Sequence, residues 1–239
     1  MKLQFLAYDG DVPISPAGLT SILIRKRYKK TSKSGFYIES SDSNTVRGRF
    51  IRKVKRERTI QDPVAGSASF TEIYFENIQF IFYAEAKLIC IIDAPRSSRF
   101  FHATLESVFG IGFTLQSLEL DMILAINLLS EQFICRVREI HLKDMIIAPN
   151  VWATVIAKGT AGVMEAIDKM KNSKDAVTTK VKIDVLDARN EHQLMMRRNM
   201  SFLYHAESQH LFEKLVLRIV IGCLREDKLS PGSVPNNRH

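Results

Sequence analysis

Two runs of cations dominate the residues of this chain that are able to do chemistry. Arg25, Lys26, Arg27, Lys29, Lys30 and Lys33 form the first, and Arg47, Arg49, Arg52, Lys53, Lys55, Arg56 and Arg58 form the second. Arginine presents a planar fork of donors that fits phosphate oxygens, and lysine adds a mobile point charge. Each phosphate neutralised in this way releases counterions, so several contacts give salt-sensitive binding that does not depend on sequence. Tyr28, Phe36, Tyr37 and Phe50 lie among the charges, where aromatic rings can stack on bases, and Tyr28 and Tyr37 lead that group. Only Glu39, Asp42 and Glu57 oppose the 13 cations of residues 25–58. The pattern points to a nucleic acid, DNA or RNA, ahead of an anionic membrane, another acidic partner or a plain solvated face. The stretch Lys53 to Arg58 would also serve as a nuclear address in a eukaryotic cell.

Carboxylates offer a second chemistry. Glu85-Ala86-Lys87, with Asp62 upstream, has the residue types by which a metal-dependent nuclease holds Mg²⁺ and polarises water. The upstream pair reads Asp62-Pro63, and Glu85 falls where a turn is expected. A Glu-x-Lys arises easily by chance in a charged chain, so no catalytic residue is assigned. His205 and His210 are five apart, which does not match a helical metal pair, and His102 with Glu106 suits a surface hydrogen bond. No metal site and no cofactor are expected. Gly110-Ile111-Gly112 follows a predicted helix and lacks the third glycine of a nucleotide loop. Lys180, Lys182, Arg197 and Arg198 make a smaller basic set, read as the solvent side of a hairpin.

The bulk numbers frame these sites. Residues 1–60 carry 14 Lys and Arg against 5 Asp and Glu, and residues 61–239 carry 20 against 21, so the net charge of +8 is a local property. With 46% hydrophobic and 25% charged residues, the composition excludes a disordered or fibrous chain. The best candidate for a membrane span, Met122 to Leu129, is far too short to cross a bilayer. The opening residues read as a first strand rather than a signal peptide, because Asp9 and Asp11 interrupt them. Cys90, Cys135 and Cys223 are widely spaced in apolar surroundings, which suits core positions and a reducing, cytoplasmic location.

The elements that must position these residues form an α+β fold. A strand over Leu3–Tyr8 precedes a short helix after Ser15-Pro16, then come the first cations and two extended pieces, Phe36–Glu39 and Val46–Lys55. A linker over 61–67 is expected to separate a basic module, 1–60, from a body, 67–228, with a tail over 229–239. Hairpins are predicted at 70–92, 133–158 and 177–204, each followed by a helix, which gives an antiparallel sheet of repeated strand–strand–helix units. The third hairpin alternates cleanly, with Val177, Thr179, Val181, Ile183 and Val185 on one face. Its helix, near 206–224, carries Phe212, Val216 and Val220. The segment 115–129 suits either a core helix or a buried strand.

The expected function is nucleic-acid binding through phosphate contacts, as in an accessory protein of a phage, plasmid or defence system. The competing expectations are a metal-dependent nuclease using Asp62, Glu85 and Lys87, and an assembly protein. In the assembly protein the basic segment would bind an acidic partner, and apolar helices such as 206–224 would pack between copies in a homo-oligomer.

Overall fold

Strands form where polar and apolar residues alternate, and helices form where a capping side chain precedes a spacing near 3.6. A computed structural model describes residues 1–13, 15–62, 64, 66–148, 150–160, 163, 176–187 and 190–229. In chain order the elements begin with β1 (Lys2–Asp9), α1 (Pro16–Arg25), β2 (Ser34–Ser41), β3 (Thr45–Asp62), β4 (Gly66–Tyr83), β5 (Leu88–Ile92), α2 (Arg99–Phe109) and β6 (Thr114–Ser117). They continue with α3 (Met122–Ser130), β7 (Ile134–Ala148), β8 (Val151–Lys158), β9 (Val177–Asp187), β10 (Asn190–Arg197) and β11 (Ser201–Tyr204). A 3₁₀ turn (Ala206–Ser208) and α4 (Gln209–Leu229) close the described residues. The architecture is mixed α+β with extensive antiparallel sheet, and no helix among the described residues is long and apolar enough to cross a membrane.

The chain divides into two compact units, Leu6–Gln116 and Met1–Phe5 with Ser117–His239. Within the expected linker at 61–67, Asp62 is instead paired to Gly66, so that β3 and β4 are antiparallel partners rather than parts of separate modules. A polar, Pro- and Gly-containing stretch reads alike as linker or turn, and only the pairing of the flanking strands tells them apart.

In the unit Leu6–Gln116 the strand order is β2-β3-β4-β5-β1. Ser15 caps α1 by accepting from the Gly18 N–H at 3.2 Å, and Pro16 sits in the first turn, where no backbone donor is missed. Leu19 and Leu23, four apart, turn inward from α1. Phe101 and Leu105 do the same from α2, which ends at Gly110 with φ of 93°, a conformation that favours glycine. They meet Phe36, Val46, Phe50, Phe80 and Phe82 from the facing strands. Phe101 lies 5.7 Å from Phe50 and 5.6 Å from Phe80 between ring centroids, so this core is largely aromatic. Phe36 and Phe50, expected to be available for stacking, are fully buried within it. Their position on the even face of β2 and β3 commits them, since that face carries the core.

In the unit Met1–Phe5 with Ser117–His239 the order is β1-β11-β10-β9-β7-β8. Val181, Ile183 and Val185 are buried, as the alternation of β9 predicts. The ambiguous segment 115–129 resolves into both candidates: β6 ends at Ser117, and Asp121 caps α3 by accepting from the Ile123 and Leu124 N–H groups. The returning strand expected over 194–204 is two strands, β10 and β11, turned through Arg198 to Met200, whose φ is 50°. The third predicted unit thus has three strands before its helix, while the helix expected after Thr160 and the 229–239 tail lie largely outside the described residues. Phe212, Val216 and Val220 of α4 are fully buried in this unit. That face is occupied within its own chain, which removes it as the contact between copies expected of an assembly protein.

Candidate nucleic-acid interface

The first basic run begins where α1 ends. Helix C-termini carry partial negative charge, so cations such as Arg25 are favoured there. The chain after α1 docks along the edge of β2: Phe36 donates its N–H to the Lys26 carbonyl at 2.9 Å, and Tyr28 donates to the Phe36 carbonyl at 2.8 Å. Gly35 permits this approach, because a Cβ there would lie 2.6 Å from the Lys26 oxygen and 2.7 Å from the Tyr28 nitrogen. Beyond it, the Ser32 N–H donates to the Lys29 carbonyl at 2.8 Å and the Ser32 hydroxyl accepts from the Lys29 N–H at 3.2 Å, which fixes a tight turn. Arg25, Lys26, Arg27, Lys29 and Lys33 line an open concavity of about 350 Å³. No acid interrupts the run, and Lys30 is exposed beside it.

The second run lies on β3, and the strand's period of two divides it. Helices α1 and α2 cover the even face, with Phe50. Arg47, Arg49, Lys53 and Lys55 take the odd, outer face, and Arg52, Arg56 and Arg58 share the even one. The second run is therefore split between two faces. On the even face β4 supplies acids: Arg52 pairs with Glu76 at 3.2 Å and stacks on Phe100 at 3.4 Å, and Arg58 pairs with Glu72 at 2.9 Å. Arg52 is thus a packing residue as much as a surface cation.

The outer face combines charge with aromatic surface. Tyr37 lies opposite Arg49 and is 47% exposed, and Phe75 lies opposite Lys53 and is 58% exposed. Arg49 also pairs with Glu39, which sits at a register shift in β2. Tyr28 is half-buried beside β2. Phe75 was not legible as a member of this group, because nothing local says which residue of β4 faces which of β3. The two basic runs meet in space: the Lys53 N–H donates to the Lys33 carbonyl at 2.8 Å.

The carboxylates do not converge. Asp62 pairs with Gly66 at one end of β4, whereas Glu85 and Lys87 occupy the turn after Tyr83 at the other end. An 18-residue strand separates them, on the order of 50 Å, which no metal can bridge. Lys87 instead faces Asp9 at 3.5 Å, and its backbone is left-handed at φ 51°. The grouping of Asp62, Glu85 and Lys87 is corrected accordingly. Among the described residues no three His, Cys, Asp or Glu side chains gather as metal ligands would. His102 bonds the Ser98 hydroxyl at 3.0 Å, and burial lowers its pKa against the opposing pull of Glu106. Arg198 turns to Glu119 at 2.5 Å. No protein-family model matches this chain, and no curated protein matches it either.

Proposed function

We propose that this chain binds nucleic acid through phosphate contacts, along a track running from the loop at 25–33 onto the outer face of β3. The observation that carries the reading is the backbone bond between Lys53 and Lys33, twenty positions apart, which brings the two basic runs together. Arg25, Lys26, Arg27, Lys29, Lys30 and Lys33 supply the acid-free part. Arg47, Arg49, Lys53 and Lys55 continue it, and Tyr37 and Phe75 offer faces for unpaired bases. Arg52, Arg56 and Arg58 stand on the other face, two of them in ion pairs, and contribute less. A stacking contact is tolerant of base identity, so the arrangement favours a single strand of DNA or RNA over a duplex. The reading implies a cytoplasmic protein, or a nuclear one in a eukaryotic cell, of the accessory kind a phage, plasmid or defence system uses.

Fluorescence anisotropy across a salt series tests it, with labelled single- and double-stranded DNA and RNA. Tight binding at low salt that weakens steeply with salt is expected. Reversing Lys29 and Lys30 to Glu should lower the slope of log K against log salt by roughly 0.7 per lost contact on a single strand. Undetectable binding at low salt would dismiss the proposal.

A further inference from the structure

Three lysines and a histidine from three neighbouring strands converge on one carboxylate in the unit Met1–Phe5 with Ser117–His239. Glu139 of β7 is only 7% exposed. Its Oε1 accepts from Lys180 Nζ at 2.6 Å and lies 2.5 Å from His141 Nε2. Its Oε2 lies 3.5 Å from Lys182 Nζ and 3.6 Å from Lys158 Nζ. Strand register produces this convergence: Glu139 is opposite Lys158 of β8 and Lys182 of β9, and His141 is opposite Lys180. A register shift between Val137 and Glu139 sets Arg138 apart, and its guanidinium is taken by Asp184 and Glu191.

The charges do not balance. One carboxylate faces three ammonium groups, so two positive charges are left over even with His141 neutral. Lys180 and Lys182 are 21% and 29% exposed, which limits screening by water and sharpens their mutual repulsion. Each ammonium has three donors. At 3.5 and 3.6 Å, Lys182 and Lys158 attract Glu139 without a good hydrogen bond, so their donors remain for another acceptor.

We propose that this cluster is a binding site for a phosphate group. Its oxygens accept from Lys158, Lys182 and the remaining donor of Lys180, whose Nζ also lies 3.2 Å from His141 Nε2, and Glu139 acts as the template that gathers the three side chains. A tetrahedral anion with up to two charges matches the surplus and relieves the repulsion. The site is separate from the track proposed above and does not depend on it: none of its residues lies within 25–58.

The test is calorimetric titration of the full chain with inorganic phosphate and, separately, with a dinucleoside monophosphate, against chloride at matched ionic strength. Heat with phosphate alone identifies a free phosphate or monoester, and heat with both identifies a phosphodiester backbone; either supports the site. The double variant K158A/K182A should bind at least tenfold more weakly. Should the double variant be poorly folded, K158A alone, at a side chain 67% exposed, should show the same direction. No heat with either ligand, or the same affinity in wild type and both lysine variants, would overturn the proposal.

Discussion

Single residues here act through what stands opposite them in register. Glu139 illustrates this: hydrogen bonds from Lys180 and His141, with the charges of Lys180 and Lys182, hold its carboxyl well below its ordinary 4.5, at about 2. The largest cause is the hydrogen bond from Lys180, followed by that from His141. A carboxylate with a depressed folded pKa contributes stability that is present above the unfolded value and lost as pH falls toward the folded one. The stability of the wild type to urea should therefore fall as pH drops from about 4.5 to about 2, with part of that slope missing in Glu139→Gln. Gly35 acts by having no side chain. Gly35→Ala would press a Cβ on the Lys26 and Tyr28 backbone, at a cost of about 1–3 kcal/mol for the overpacking. It should also weaken nucleic-acid binding, read by anisotropy, because the loop that carries six cations must move.

At the scale of elements, the long hairpin β3–β4 carries the most information. Its inner end is flanked by β2 and β5, but register with those strands stops at Arg52 and Gln79. The outer stretch is a two-stranded ribbon, a form that is marginally stable by itself. Ile60, Phe70, Ile73, Tyr74 and Phe75 are exposed along it. The charges on this ribbon are nearly matched, because Glu72 and Glu76 of β4 answer Arg58 and Arg52. Reversal of Lys53 and Lys55 to Glu on the outer face should consequently cost more binding than loss of Arg58, whose charge is already paired; anisotropy on the same oligonucleotide compares them. Stability belongs to the other face. Phe101→Ala in α2 removes the ring at the centre of the aromatic core and should cost about 3–5 kcal/mol in urea unfolding.

For the whole molecule, the surplus charge resides in the first quarter of the chain, while the rest is near neutral. Phosphate contacts position a ligand but carry no sequence information. Oligonucleotides of equal length and shuffled sequence should bind with affinities within about threefold of one another, measured in direct competition, and all should weaken together as salt rises.

Much of this protein was legible from local rules. The helix start at Ser15-Pro16, the alternation in β9, the hairpin between β4 and β5 and the helix with Phe212 and Val216 all follow from short-range signals. The sequence by itself also determined where the cations are, since charge is a property of composition and needs no fold. What it could not determine is which of them stand together. A period of two divides the run on β3 between faces, and only the helices covering Phe50 decide which face is solvent. Asp62 and Glu85 are 23 positions apart in sequence, yet an extended strand lies between them and keeps them apart in space. Lys158, Lys180 and Lys182 are scattered in sequence, yet register with β7 gathers them on Glu139. Pairing between strands is a long-range choice, made by burial of whole faces rather than by neighbours along the chain, and so the tertiary structure alone decided it.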